Sequence, residues 1–294
     1  MRKYLHAYAP SLGELWLLVM VLFCIGGGIV TTVTGMTIQY LFRLDPESSK
    51  SLFVGLYPLG FSLVIPFIYL RAREQYQQNP HLWKPVPDPC APSFGKLPVL
   101  LVFFLLLLLV PFFNTSMEPF SMWIPMPEFI KDIFASLTQN GWVSFVTVVV
   151  MAPLLEEWLL RGVVLKALLH RGYAPAAAIC WSALMFGVMH MNPWQTIPAF
   201  LMGLLFGWIY WRTRSLWTTI FMHAVNNGMA FLLSIFFPEL PEDISTLDLV
   251  GSGRYPWVLG GAILASMLII WLLHTQLSPA TSLFKKRDPS LVAV

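Results

Sequence analysis

Residues 154–162 read LLEEWLLRG, a stretch in which Glu156, Glu157 and Arg161 interrupt a long apolar segment. The surrounding segment, residues 143–169, is long enough to cross a bilayer, because a membrane-spanning helix needs about 20 apolar residues. An unpaired charge in the middle of such a helix costs roughly 2.5–3.5 kcal/mol on the membrane-insertion scale. The three side chains therefore need partners inside the membrane, where ionisable groups commonly mark functional sites.

The whole chain has the composition of a membrane protein. Of its 294 residues, 57% are hydrophobic and 11% are charged, and the mean hydropathy is +0.68; ordinary soluble domains have about 25% charged residues. The net charge of +3, without a long basic run, argues against a nucleic-acid partner. We predict an all-α membrane protein with about eight transmembrane helices, in a single integral membrane domain over residues 1–294. The apolar stretches lie near 13–42, 51–70, 97–113, 143–169, 174–191, 194–211, 216–237 and 256–275.

The distribution of Lys and Arg predicts how the chain is oriented in the membrane. Cytoplasmic loops carry an excess of these residues. With the N-terminus inside, thirteen of the 18 fall on the cytoplasmic side and Arg161 lies within a span. The remaining four are Arg43, Lys50, Lys131 and Arg254. Both termini are therefore predicted to be cytoplasmic, with residues 71–96 as a cytoplasmic linker and residues 114–142 at the outer interface.

Two further predicted helices carry polar side chains at helical spacing. The fifth ends in FGVMH, with Phe186 and His190 four residues apart, and the seventh contains HAVNN, with His223 and Asn227 four residues apart. Residues at i and i+4 share one face of a helix. Since each polar group needs a partner in lipid, we expect these side chains to meet Glu156 in a shared polar cavity.

Within the fourth span, Glu157 and Arg161 are also i and i+4, with the carboxylate N-terminal to the cation. That order favours a local ion pair. The pair is expected to support the site and to leave Glu156 as the uncompensated carboxylate. A purely structural ion cluster, which fixes helix packing, is the alternative interpretation of these three residues.

The constellation predicts hydrolysis by an activated water. Glu156 is the expected general base, with His190 holding and polarising the water, and His223 and Asn227 are the expected hydrogen-bond donors to the oxyanion. A second mechanism stays open, because Glu156, His190 and His223 also form a three-ligand set for a catalytic zinc ion with water in the fourth position. Neither H-E-x-x-H nor G-x-S-x-G occurs in the chain, so the helical zinc-protease and serine-hydrolase signatures are missing.

The blocks EEWLLR (156–161), FGVMH (186–190) and HAVNN (223–227) resemble, in family order, the E-E-x-x-x-R, F-x-x-x-H and H-x-x-x-N motifs of the CPBP family of intramembrane proteases. This family is also called Abi or type II CAAX prenyl proteases, and the resemblance covers about residues 143–235, the expected catalytic core. The family's zinc and glutamate mechanisms both remain open. The resemblance implies that Glu156 is the catalytic glutamate and that Glu157 and Arg161 are its supporting pair. It likewise implies that His190 and His223 are the catalytic histidines and that Asn227 is the oxyanion donor.

The expected function is an intramembrane endopeptidase that hydrolyses a peptide bond of a membrane-associated peptide or protein, with the lipid bilayer as its surroundings. The alternative is a non-enzymatic immunity or scaffold protein that keeps the polar cluster for folding or ligand binding. A transporter with Glu156 as proton carrier is disfavoured by the lack of internal repeats. The predicted topology contains one conflict: His190 falls near the outer end of the fifth span, whereas His223 falls in the inner third of the seventh.

Overall fold

The computed structural model describes residues 8, 10–78, 92–128, 130–132, 134, 141–241 and 243–277. Within these residues the regular secondary structure is entirely helical, which confirms the all-α prediction. In chain order the helices are α1 Leu12–Phe42, α2 Pro46–Gln78, α3 Val99–Ser121, α4 Gly141–His170, α5 Pro175–Val188, α6 Pro193–Thr213, α7 Leu216–Phe236, the short α8 Thr246–Val250, and α9 Tyr255–Gln276.

Six of these helices, α1, α2, α3, α4, α7 and α9, are long and apolar enough to cross a membrane, so the chain is a multi-pass membrane protein. The fifth predicted span is different. Helix α5 has 14 residues, which extend about 21 Å at 1.5 Å per residue, less than the roughly 30 Å hydrocarbon core. The chain turns at residues 189–192 and returns as α6, so α5 and α6 form a hairpin beside the six candidate membrane-spanning helices.

Several helices begin at polar capping residues. Ser11 and Glu14 form a capping box at the start of α1, and the side chain of Asp45 accepts hydrogen bonds from the first turn of α2. At α6, the Asn192 side chain accepts from the Gln195 amide at 2.9 Å, and Pro193 occupies the first helical position. These signals satisfy amide groups that a helix start leaves without partners, so they fix where each helix begins.

Two connections differ from the predicted ones. Helix α3 continues to Ser121, so residues 114–121 of the predicted interfacial segment are helical. The helix can continue because its polar groups find partners within the protein: Asn114 donates to Asn226 at 2.8 Å, and Glu118 accepts from the first amides of α8. Helix α2 likewise extends to Gln78, and the rest of the predicted linker up to residue 91 lies outside the described residues.

The α5–α6 hairpin packs closely because α6 presents small residues to α5. A Cβ added to Gly203 would lie 3.1 Å from the Ala183 Cβ, and one added to Gly207 would lie 3.0 Å from the Ile179 Cγ2. Small residues at such spacing allow helix backbones to approach each other in membranes. The G-x-x-x-G of α6 thus brings α6 onto α5 and holds the 189–192 turn in place.

The crossing of α1 and α2 depends on Gly27. A Cβ on Gly27 would lie 2.8 Å from the Cα and 2.9 Å from the carbonyl carbon of Gly60, whereas a Cβ on Gly28 would meet no atom within 4 Å. We expect Gly27→Ala to lower the free energy of unfolding by about 1–3 kcal/mol through overpacking. Gly28→Ala is expected to be neutral or slightly stabilising, because Ala has the higher helix propensity. Denaturant unfolding of the two purified variants checks this, and equal behaviour would contradict the close crossing.

Candidate active site

A single cavity of about 1720 Å³ brings together the four residues expected to be catalytic. Glu156, His190, His223 and Asn227 all line it, together with residues from α1, α2, α3 and α6. The volume exceeds the roughly 300–1,000 Å³ of typical small-molecule pockets. The space therefore suits a larger ligand, such as an extended peptide segment.

The predicted ion pair on α4 is formed and fully buried. Arg161 Nη1 donates to Glu157 Oε1 at 2.8 Å, and Arg161 Nη2 donates to the Gly203 carbonyl at 2.9 Å. The guanidinium also lies 4.9 Å from the centre of the Phe186 ring, a cation–π contact that ties α4 to α5. Glu157 and Arg161 therefore join α4, α5 and α6 beneath the cavity.

The backbone of α4 changes its winding around the two carboxylates. Ala152–Glu157 is α-helical, whereas Phe145–Met151 and Trp158–Leu165 on either side have π-helical turns. Such turns are frequent at functional sites, because they alter the direction in which side chains leave the helix. Glu156 and Glu157 are adjacent in sequence and point to different partners.

Glu156 is 7% exposed and its two oxygens have different surroundings. The Tyr57 hydroxyl donates a hydrogen bond to Oε1. Oε2 is buried and has no hydrogen-bond partner among the described residues, and His223 Nε2 lies 4.0 Å from it. A buried carboxylate oxygen without a partner is costly, so a functional role is a reasonable explanation for it.

Tyr57 was not among the predicted site residues. It lies 99 residues before Glu156, in a short 3₁₀ turn, Tyr57–Ser62, within α2. The stretch LYPLGFS shows no charge or motif that marks it. The contact follows from the Gly27–Gly60 crossing, which is a tertiary feature.

His223 is 5% exposed and is oriented by the supporting pair. Its Nδ1 lies 3.1 Å from Glu157 Oε1, the same oxygen that accepts from Arg161. A carboxylate in an ion pair accepts, so Nδ1 carries the hydrogen, and Nε2 is an acceptor when the ring is neutral. The acceptor nitrogen is therefore the one that lies on the Glu156 side.

His190 follows α5 in the 189–192 turn. Its Nδ1 is 2.8 Å from the Phe186 carbonyl oxygen. Since a carbonyl only accepts, Nδ1 carries the hydrogen, and Nε2 is an acceptor when the ring is neutral. The Phe186 ring centre lies 5.3 Å from the His190 ring and 5.4 Å from the His223 ring, so both histidines contact one phenylalanine. The expected difference in depth between them does not arise, because α5 is too short to carry His190 to the far surface.

Asn227 ends a chain of amides. Asn114 donates to Asn226 at 2.8 Å, Asn226 donates to Asn227 Oδ1 at 3.1 Å, and Asn227 Nδ2 donates to the Val148 carbonyl at 2.9 Å. One hydrogen of the Asn227 amide is thus engaged with α4, and the second remains for another acceptor. Asn114 and Asn226 were not predicted, since Asn114 lies outside the motifs and Asn226 occupies a variable position of H-x-x-x-N.

The described residues do not contain a group of three or more His, Cys, Asp or Glu side chains arranged to hold a metal ion. Glu156, His190 and His223, the predicted zinc ligands, line the cavity without forming such a group. The zinc site and the metal-free glutamate mechanism therefore both stay predictions.

Comparison with known proteins agrees with the three motifs. The family described as "Type II CAAX prenyl endopeptidase Rce1-like" matches residues 138–229, which include all three blocks. YdiL of Bacillus subtilis (strain 168), provisionally named a membrane peptidase, is 27% identical over 86 residues, which are 29% of this chain and 35% of YdiL. The chain thus aligns with about a third of that relative, and no solved structure matches it significantly. Residues 138–229 are thus similar to the Rce1-like type II CAAX prenyl endopeptidases, which supports the resemblance of this segment to the CPBP family of membrane proteases.

Proposed function

We propose that this protein is an intramembrane endopeptidase that hydrolyses a peptide bond of a membrane-associated peptide or protein, with Glu156 as general base. The observation that carries the proposal is the buried Oε2 of Glu156, which has no hydrogen-bond partner among the described residues and lies 4.0 Å from His223 Nε2. A base of this kind needs a lone pair free for a proton and a place for water beside it. The similarity to membrane peptidases over residues 138–229 supports the same reaction class.

The reaction then follows from the hydrogen-bonding capacity of each group. A water held between Glu156 Oε2 and His223 Nε2 gives one proton to Oε2 while its oxygen attacks the carbonyl carbon of the substrate. The second N–H of Asn227 donates to the oxyanion that forms. Glu156 then returns the proton to the leaving nitrogen as the C–N bond breaks. The products are an amine and a carboxylic acid, which carries the other proton of the water.

This assignment changes two of the roles expected from the sequence. A neutral His223 whose Nδ1–H is directed to Glu157 has only an acceptor left, so we assign it to the water and leave the oxyanion to Asn227. His190, whose Nδ1–H is directed to the Phe186 carbonyl, also offers an acceptor, and we assign it to an N–H group of the bound peptide. Glu157 and Arg161 position His223 through hydrogen bonds.

The direct test is peptidase activity of the purified, detergent-solubilised full chain against a library of membrane-associated peptides, with zinc content measured on the same sample. Cleavage by the wild type that is lost in Glu156→Gln supports the proposal. A well-folded wild type that cleaves no peptide would instead favour the immunity or scaffold alternative. Stoichiometric zinc that is lost together with activity in His190→Ala would favour the metal mechanism.

Tyr57 is proposed as a positioning residue for Glu156. Its hydroxyl donates to Oε1 and leaves Oε2 for the water. A hydrogen bond to a charged group contributes about 1.5–3 kcal/mol, so we expect Tyr57→Phe to lower kcat by about 10–100-fold with little change in KM. Steady-state kinetics on a cleaved peptide measure both constants.

The matched control for Tyr57→Phe is Tyr255→Phe, which removes a hydroxyl that donates to the Met122 sulfur at 3.8 Å. It is expected to leave both constants unchanged. If Tyr57→Phe raised KM and left kcat intact, the residue would act in substrate binding and the positioning role would be wrong.

A further inference from the structure

The cavity occupies one half of the helix bundle. The six candidate membrane-spanning helices alternate in direction. We call the end of the bundle where α1 begins and α9 ends the terminal end. The opposite end of the bundle is called the cavity end. Most of the lining residues fall in the halves of the helices next to the cavity end or in the connections there. They lie within 23–39, 46–60, 111–126, 147–156, 189–202 and 223–248, together with Ile130 and Phe134.

Contacts between connections identify the terminal end. Arg71 in the last turns of α2 pairs with Glu14 in the first turn of α1 at 2.6 Å. The Ser93 amide donates to the Thr213 carbonyl at 2.9 Å, and Arg212 Nη2 donates to the Leu277 carbonyl at 2.6 Å. The end of α2, the segment before α3, the end of α6 and the end of α9 therefore lie together.

The cavity end is identified in the same way. Lys131 pairs with Asp243 at 3.2 Å, which joins the connection after α3 to the connection after α7. Glu118 in the last turn of α3 accepts hydrogen bonds from the first amides of α8. None of these residues belongs to the terminal end, so the two ends are separate surfaces.

The α5–α6 hairpin does not change on which side of the membrane each end of the bundle lies. Helices α5 and α6 leave the terminal end and return to it, so they add no crossing to the chain. Because the number of crossing helices, six, is even, the start of α1 and the end of α9 lie on the same side of the membrane. The hairpin turn, residues 189–192, brings His190 into the cavity from the same side as the termini.

Lys and Arg are concentrated at the terminal end. Four of the described ones lie at the cavity end, Arg43, Lys50, Lys131 and Arg254. Seven lie at the terminal end, Arg71, Arg73, Lys96, Lys166, Arg171, Arg212 and Arg214. Six more lie outside the described residues, Arg2, Lys3, Lys84, Lys285, Lys286 and Arg287. Because connections rich in Lys and Arg stay in the cytoplasm, the terminal end is the cytoplasmic one.

From these placements we propose that the active site opens to the non-cytoplasmic side of the membrane and takes a peptide segment exposed on that side. The substrate is then the exported part of a membrane-associated precursor, and a peptide tail confined to the cytoplasm does not reach the site. The substrate class rests on the proposed protease function, whereas the direction of the opening does not.

The direction of the opening is measured by cysteine labelling in intact cells that express the full chain with Cys24, Cys90 and Cys180 replaced by Ala. Single cysteines are introduced at exposed Ser252, at the cavity end, and at exposed Lys96, at the terminal end. A membrane-impermeant maleimide is expected to label Ser252→Cys in intact cells and Lys96→Cys only after permeabilisation. The reverse pattern would overturn the proposal.

A third cysteine tests the cavity itself. Thr32 is exposed and lines the cavity, so a small charged thiol reagent is expected to modify Thr32→Cys from the same side as Ser252→Cys. Modification only after permeabilisation, with Ser252→Cys labelled from outside, would show an opening towards the cytoplasm and overturn the proposal.

Cleavage is tested in proteoliposomes whose orientation is determined by the same labels. The quenched fluorescent peptide library is added either outside or inside vesicles that hold the chain in one orientation, and cleavage is expected only from the cavity end. Cleavage from the terminal end would overturn the substrate class and leave the protease function standing. Absence of cleavage from both sides, with the labelling as expected, would contradict the protease function and leave the direction of the opening intact.

Discussion

The Glu156→Gln variant is expected to lose about 10²–10⁴-fold in kcat, the contribution usually made by a general base, while keeping its fold. Gln has the shape of Glu, and its amide oxygen can still accept the hydrogen bond that Tyr57 donates to Glu156. It has no lone pair basic enough to take the proton of water. The loss therefore belongs to the chemical step, and kcat measured on a cleaved peptide reports it.

Glu118→Gln is the matched control for this variant. Glu118 also lines the cavity, and its Oε2 has no hydrogen-bond partner among the described residues. Its other oxygen accepts from the α8 amides, which a Gln oxygen can also do. The control is expected to retain activity. Equal losses in the two variants would indicate a general electrostatic effect of the cavity, and unfolding of Glu156→Gln would favour the structural interpretation of the cluster.

The Arg161→Met variant is expected to lower the free energy of unfolding by about 3–5 kcal/mol, because it leaves a buried charge without its partner. Arg161 and Glu157 are both 0% exposed, and the ion pair between them is 2.8 Å long. Met is close to Arg in length and apolar, so the main change is the unpaired carboxylate of Glu157. Denaturant unfolding in detergent, compared with the wild type, measures the loss.

The double variant Glu157→Gln with Arg161→Met separates loss of charge pairing from loss of packing. It removes both charges and keeps an oxygen that can accept from His223 Nδ1. Replacing a buried ion pair by neutral groups is often close to neutral in stability, so the double variant is expected to be more stable than Arg161→Met. If it were as unstable as the single variant, contacts of the guanidinium with Phe186 and Gly203 would dominate.

Much of the site was predicted because its residues are polar in segments that are otherwise apolar. Glu156, His190, His223 and Asn227 line one cavity, and the Glu157–Arg161 pair forms as its spacing indicated. Tyr57, Asn114 and Asn226 were missed. A tyrosine or an asparagine is common near membrane interfaces and at helix ends, so its type and position alone do not identify a partner in a different helix.

The sequence by itself determined the features that depend on local composition and spacing: the membrane class, the all-α architecture, the i and i+4 pair on α4, and the motifs within residues 138–229, the segment that is similar to the Rce1-like family. The tertiary structure decided the depth of His190, the Tyr57 contact, the hydrogen-bond partners of the two imidazoles and the end of the helix bundle at which the cavity lies. The reason is physical. Helical periodicity fixes which side chains share a face, whereas the packing of glycines such as Gly27 and Gly203 against neighbouring helices fixes which faces meet and how far each helix extends into the membrane.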